Sequence, residues 1–124
     1  MQSQTLKAVD EGNIKTANPY LSNIIAVIRE SISNKIELKS IAKQAGMSTS
    51  SLYRLFKNEL GISPVEFIIL EKIKLAKHYL TDKNIYIKNV SYEAGFDDSN
   101  YFIRIFKHYE GITPKQYRQL LNKE

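Results

Sequence analysis

The sequence predicts an all-α fold of seven helices, in which two helix-turn-helix subdomains are joined by a long connecting helix. Residues 38–47 are repeated at 87–96, and residues 56–64 at 106–114, with Ala-Gly, Phe-Lys and Gly-Ile-Ser/Thr-Pro kept in order. Apolar residues recur at helical spacing, and no segment alternates convincingly as a strand does. Each repeat holds two short helical patterns separated by a glycine, which is typical of a helix-turn-helix unit.

The proposed organisation has four segments. Residues 1–18 are polar without a sustained period and are predicted to be a flexible tail or a linker. Residues 19–63 form the first subdomain, residues 64–81 the connecting helix, and residues 82–124 the second subdomain. The tail fits either the start of a small stand-alone activator or the linker from a sensor or receiver domain, and we favour the second.

Local signals define the helices of the first subdomain. Pro19 suits the first turn of a helix, Gly46 stops the second helix, and either Ser48 or Thr49 caps the third. The predicted ranges are 19 to about 34, 37–44 and 49–60.

The remaining helices follow from the same kinds of signal. Ser63 and Pro64 read as an N-cap and a first-turn proline, and Thr113 and Pro114 repeat them. The predicted ranges are 64–81, 85–94, 98–109 and 114 to about 122. The core-facing residues of the connecting helix are predicted to be Val65, Ile68, Ile69, Lys72, Ile73, Ala76 and Leu80.

Composition limits the possible functions. The chain has 124 residues, 43% of them hydrophobic, and no cysteine, which excludes disulfides, thiolate zinc sites and a sulfur nucleophile. No apolar run approaches the roughly 18 residues that span a bilayer, and the N-terminus lacks the pattern of a signal peptide. We expect a cytoplasmic protein with no membrane partner and no cofactor.

The net charge of +5 is unevenly distributed. Residues 1–34 carry three basic and three acidic side chains, so the excess of fifteen basic over ten acidic residues lies in 35–124. A basic excess favours polyanions, because neutralising phosphates releases counterions. The repeated region is therefore a candidate DNA-binding surface.

The second helix of each repeat has one apolar stripe and one polar face. The stripes are Leu52, Leu55 and Phe56 in the first repeat and Phe102, Ile105 and Phe106 in the second. The predicted DNA-contacting residues on the other face are Ser50, Tyr53, Arg54, Lys57, Ser99, Asn100, Tyr101, Arg104 and Lys107. Arg54 and Arg104 are equivalent by an offset of 50 residues.

Side-chain chemistry suggests a role for each type. Arginine bonds guanine O6 and N7, and Asn100 suits adenine N6 and N7. Small hydroxyls suit phosphates or thymine methyls, and Lys57 and Lys107 suit phosphates. Tyr53 and Tyr101 fit equally well a base contact or a brace against the backbone or the core edge.

The length of the connecting helix sets the spacing between the two predicted recognition helices. About 18 helical residues span roughly 27 Å, whereas successive major grooves on one DNA face lie about 34 Å apart. We therefore expect both recognition helices to enter adjacent grooves only if the duplex bends or the units tilt. One chain would then read an asymmetric site as a monomer.

These residues resemble the AraC/XylS family of bacterial transcription regulators over about residues 20–120. The matching positions in the first half are Ile41-Ala42, Met47-Ser48, Leu52, Arg54, Phe56-Lys57, Gly61-Ile62-Ser63-Pro64 and Phe67-Ile68. Those in the second half are Gly95-Phe96-Asp97, Ser99, Tyr101-Phe102, Arg104, Phe106-Lys107, Gly111-Ile112-Thr113-Pro114 and Tyr117-Arg118.

The resemblance implies a seven-helix DNA-binding domain on promoter DNA, with RNA polymerase as a further partner. It implies that Ser50, Tyr53 and Arg54, with Ser99, Asn100, Tyr101 and Arg104, face DNA. Two positions depart from the family pattern: Lys72 stands where arginine is usual, and Ser91 where alanine is usual. Lysine lacks the planar fork of arginine.

Two other classes of function are open on the residues alone. An enzyme would need grouped catalytic side chains, but His78 and His108 have no serine or acid grouped around them, and no metal site is expected. A protein-interaction module with a basic face would explain the charge but not the matched arginines. The target sequence, the effector, and activation versus repression are not encoded in a readable way.

Overall fold

The computed structural model describes residues 18–123, and all regular elements among them are α-helices. They are α1 (Pro19–Glu30), α2 (Leu38–Gln44), α3 (Thr49–Leu60), α4 (Pro64–Leu80), α5 (Ile87–Glu93), α6 (Ser99–Glu110) and α7 (Pro114–Leu121). The predicted all-α class with seven helices is confirmed. No helix in this part of the chain is long and apolar enough to cross a bilayer.

The described helices fall into two compact units. The first ends at Glu71 and the second begins at Lys72, so each unit takes one half of α4. The partition that treats residues 64–81 as a separate segment stays a prediction. The predicted tail lies outside the described residues except for Asn18, whose side chain caps α1 by accepting a hydrogen bond from the Leu21 N–H at 3.2 Å.

The first unit packs α1, α2, α3 and the start of α4 around an apolar core. Phe56 of α3 and Phe67 of α4 are fully buried and meet edge to face, with 5.6 Å between ring centroids. Burying each such side chain contributes about 1.5–3 kcal/mol. The other buried apolar residues of this unit include Leu21, Ile24, Ile25, Ile28, Leu52, Leu60 and Ile62.

A two-pronged ion pair joins α1 to α4 in the first unit. Arg29 Nε and Nη2 donate to Glu71 Oε1 and Oε2 at 3.1 and 3.3 Å. Glu71 is 5% exposed, and the Arg29 guanidinium also lies 5.9 Å from the centroid of the Phe67 ring. A buried carboxylate is costly without a matched cation, so this pair fixes which face of α1 meets α4.

The second unit is built on a row of aromatic rings. Phe96 contacts Phe102, Phe102 contacts Phe106, and Phe106 contacts Tyr117. The centroid separations are 5.0, 5.6 and 5.6 Å, within the range that favours tilted and edge-to-face pairs. This row runs from the turn before α6 to α7 and holds α6 in place.

Polar contacts close the second unit around the end of α4. Arg118 Nε donates to the Leu80 carbonyl at 3.1 Å, which satisfies one of the carbonyls left open at the helix C-terminus. Lys77 Nζ pairs with Glu110 Oε1 at 2.8 Å. Both contacts join α4 to helices that follow it in the chain.

The turns between the two helices of each repeat share one geometry. Gly46 and Gly95 have φ of +73° and +97°. The Gly46 N–H bonds the Lys43 carbonyl at 3.0 Å, and the Met47 N–H bonds the Ala42 carbonyl at 2.9 Å. Gly95 and Phe96 form the same two bonds at 3.0 and 2.9 Å. This pair of bonds with a left-handed residue is the Schellman ending of a helix.

Some predicted boundaries and core positions were wrong. The first helix ends at Glu30 with Ser31 as its C-cap, and beyond it the Ile32 and Asn34 N–H groups bond carbonyls three residues back, at 3.5 and 2.9 Å. Val65 is 43% exposed, and the buried face of α4 in the first unit includes Phe67 instead. The recognition helix predicted over 98–109 begins one residue later, since Asp98 is its N-cap, and α4 ends at Leu80.

Gly46→Ala should lower the free energy of unfolding by about 1 kcal/mol, because a left-handed conformation is costly for a residue with a Cβ. A Cβ at this position would meet no atom within 4 Å, so the cost is conformational. Gly46→Asn should lose less, since asparagine enters this region more easily. Urea unfolding measures the free energy of unfolding of both variants. An alanine variant as stable as the wild type would contradict the left-handed conformation assigned to residue 46.

Candidate nucleic-acid interface

Each candidate recognition helix begins at a side-chain cap. Ser48 Oγ accepts from the Ser51 N–H at 3.1 Å and starts α3. Asp98 Oδ1 accepts from the Asn100 and Tyr101 N–H groups at 2.8 and 3.3 Å and starts α6. These bonds satisfy N–H groups that have no partner within the helix, so the first turn is well defined in both units.

The predicted contact residues lie on the outer faces of α3 and α6. Six of the nine are exposed: Ser50, Arg54, Lys57, Asn100, Arg104 and Lys107. Three are half-buried: Tyr53, Ser99 and Tyr101. Beneath them, Leu52, Phe56, Phe102 and Phe106 are fully buried, whereas the predicted stripe members Leu55 and Ile105 are only half-buried. Each helix therefore presents a polar face with an apolar face fixed below it.

In the first unit, Arg54 is held by a short chain of hydroxyl groups. Arg54 Nη2 donates to Ser51 Oγ at 3.3 Å, and Ser48 Oγ donates to the same oxygen at 3.1 Å. Residues three apart are neighbours on a helix surface, so these contacts run along one edge of α3. The cap and the arginine are thereby connected through Ser51.

In the second unit, the equivalent arginine rests on an aromatic ring. The Arg104 guanidinium carbon lies 5.8 Å from the centroid of the Tyr101 ring. Tyr101 is in turn 6.2 Å from Phe96, centroid to centroid, and Phe96 is 5% exposed. A cation within about 6 Å of a ring centroid is attracted to its face.

Sequence reasoning missed both arginine contacts. The position between the helix cap and the arginine is serine in the first repeat and tyrosine in the second, so the two repeats share no motif there. The available signal was the offset itself, because 50 residues separate Ser51 from Tyr101 as they separate Arg54 from Arg104.

Among residues 18–123, no group of three or more His, Asp or Glu side chains is placed to hold a metal ion. His78 and His108 are exposed and lie edge to face with the neighbouring Tyr79 and Tyr109, at 5.6 and 4.9 Å. These contacts give the histidines a packing role at the surface.

Comparisons with known proteins agree with the all-α helix-turn-helix fold. The sequence matches the family described as "Helix-turn-helix domain" over residues 41–120, more than half of the chain. The chain belongs to the AraC/XylS family. The seven helices of residues 18–123 have the fold of the DNA-binding domain of that family.

Individual relatives cover most of this chain but have longer sequences of their own. The transcriptional regulator YfiF of Bacillus subtilis is 35% identical over 107 residues, 86% of this chain and 34% of its own length. YtdP of the same organism is 34% identical over 97 residues, 78% of this chain and 13% of its own. The chain thus spans about a third of the length of YfiF and 13% of the length of YtdP.

A solved structure shares the fold closely. The C-terminal domain of the two-component response regulator YesN from Fusobacterium nucleatum is 30% identical, with a TM-score of 0.76. The match covers 82% of this chain and 99% of that one.

The two departures from the AraC/XylS pattern both lie in the second unit. Lys72 is 9% exposed, donates from Nζ to the Gly95 carbonyl, and lies 6.0 Å from the centroid of the Phe96 ring. Ser91 is fully buried and donates to the Lys88 carbonyl at 2.6 Å. The lysine therefore supports the turn that leads into α6, and the serine keeps its hydroxyl bonded within α5.

Burial lowers the pKa of Lys72 below 10.5, and the negative charge of Asp97 raises it in part. The folded protein therefore binds this proton less tightly than the unfolded chain does. The contribution of Lys72 to stability should rise with pH between the lowered folded-state pKa and 10.5.

The difference in unfolding free energy, wild type minus Lys72→Met, should accordingly increase as the pH rises from neutral toward 10.5. Urea unfolding of both proteins across that range measures it. A difference that stays constant or falls with pH would show that the lysine is not desolvated in the fold.

Proposed function

We propose that the chain reads double-stranded promoter DNA sequence-specifically by placing α3 and α6 in adjacent major grooves. The observation that carries this proposal is the pair of exposed arginines, Arg54 and Arg104, each six residues after the cap of its helix. A single exposed arginine is common on any surface. Two at equivalent positions on two capped, amphipathic helices of an AraC/XylS domain support a shared role in base recognition.

Each side chain is assigned a role by its chemistry. Arg54 and Arg104 bond guanine O6 and N7, and Asn100 bonds adenine. Lys57 and Lys107, one turn further along each helix, bond phosphates and contribute affinity without sequence preference. The remaining predicted contacts lie nearer the capped ends of the helices. Ser50 and Ser99 contact phosphates or thymine methyls. The half-buried Tyr53 and Tyr101 lie at the edge of the polar face.

The wider context follows from the same proposal. Two reading units in one chain give an asymmetric site, so the DNA-binding part acts as a monomer. The length of α4 calls for a duplex that bends or for units that tilt. RNA polymerase is the proposed protein partner at the promoter, and the compartment is the cytoplasm. Recognition proceeds by binding alone and needs no catalytic group and no cofactor.

The test begins with selection of bound sequences from a random duplex library, followed by anisotropy on the selected duplex and a scrambled control. Arg54→Ala and Arg104→Ala should each cost about 1–3 kcal/mol of binding free energy on the selected duplex. Each should relax preference in a different block of the site, because each arginine reads one groove.

Lys57→Ala and Lys107→Ala supply a matched contrast. They should weaken binding about equally for selected and scrambled duplexes and lower the salt slope by about 1. Lys83→Ala, an exposed lysine outside α3 and α6, controls for the loss of one positive charge. Equal binding of all duplexes by every variant would contradict sequence reading, and no binding at low salt would favour an interaction module with an acidic protein partner.

A further inference from the structure

We infer that Ser51 and Tyr101 are positioning residues that aim Arg54 and Arg104 at the bases, one in each unit and by different interactions. The inference deepens the proposed function and rests on it. It assigns to Tyr101 a role through Arg104 in place of a base contact, and it adds Ser51 to the residues that determine specificity.

The first argument is the shared spacing. Ser51 and Tyr101 each lie three residues after the helix cap and three residues before the arginine. Positions three apart face the same way on a helix, so cap, intermediate residue and arginine form one row. In both units the intermediate residue contacts the arginine side chain. In both helices, therefore, the residue three positions before the arginine contacts the arginine side chain, although the residue type differs.

In the first unit the brace is a hydrogen-bond acceptor. Ser51 Oγ accepts a hydrogen bond from Arg54 Nη2 and a second one from the hydroxyl of Ser48. Because Nη2 carries two N–H groups, one is used inside the protein and the other remains for DNA. Arg54 is therefore oriented, but part of its donor fork is engaged before DNA binds.

In the second unit the positioning contact is made by the face of the Tyr101 ring. Tyr101 attracts the guanidinium of Arg104 through its π-system, and the buried Phe96 supports Tyr101 from the turn. Attraction to a ring face engages no N–H donor, so the whole fork stays available for a bidentate contact with guanine.

Positioning of this kind acts on affinity by reducing the freedom lost on binding. A long side chain that is already oriented loses less rotamer freedom when it docks. Loss of a brace should therefore weaken only the contact made by its own arginine. If the substituted residue touched DNA directly, its loss would weaken binding whether or not the arginine were present.

The experiment is a double-mutant cycle on the selected duplex, read by anisotropy. Tyr101→Leu should raise Kd about two- to fivefold, the range expected for an exposed cation–π contact. Tyr101→Phe, which keeps the ring, should stay within about twofold of wild type. In an Arg104→Ala background Tyr101→Leu should have no further effect, and it should also have none on a duplex substituted at the base pair that Arg104 reads.

The first unit provides the parallel cycle. Ser51→Ala should raise Kd about two- to fivefold in the presence of Arg54, and Ser51→Thr, which keeps the oxygen, should restore binding. Alanine suits the first turn of a helix, and the cap bond to the residue 51 N–H remains, so the fold is preserved.

The outcomes separate the inference from the proposed function. If Arg104→Ala weakens binding but Tyr101→Leu does not, or does so equally in the Arg104→Ala background, positioning is overturned and base reading by Arg104 stands. If Arg104→Ala and Arg54→Ala both leave the selected duplex bound as before, both proposals are overturned.

Discussion

The left-handed glycine that ends the first helix of each helix-turn-helix is the constraint on which the binding surface depends. Gly46 and Gly95 are each followed within three residues by the cap of the next helix, so the direction of that helix is set at the turn. In the second unit Lys72 adds a bond to the Gly95 carbonyl. A small change at these turns would redirect every side chain on α3 or α6.

The two helices then place equivalent arginines at equal distance from their caps, but in different surroundings. One arginine shares a donor with a serine hydroxyl, and the other lies on a tyrosine ring. The aromatic row from Phe96 to Tyr117 stabilises the second unit beneath its arginine, whereas the first unit relies on the Phe56–Phe67 contact and the Arg29–Glu71 pair. The two repeats therefore carry an arginine at the same position but support it by different contacts.

Most of the fold could be predicted from the sequence because its signals are local. The repeat, the glycines, a cap at Ser48 or Thr49, and Pro64 at a helix start depend on nearby residues alone. The exposure of Val65 and the partner of Lys72 depend on which elements pack together, and one sequence does not encode that in a readable pattern. The exposed face of α3 and α6 was predictable from periodicity, whereas the contacts to Arg54 and Arg104 required side-chain geometry.

Dimethyl sulfate protection on the selected duplex tests the central claim most directly, because the reagent methylates guanine N7 in the major groove. The account predicts two protected blocks about one helical turn apart on one face, with Arg54→Ala exposing one block and Arg104→Ala the other. A single protected block, or two blocks that both survive either substitution, would contradict reading by two helices.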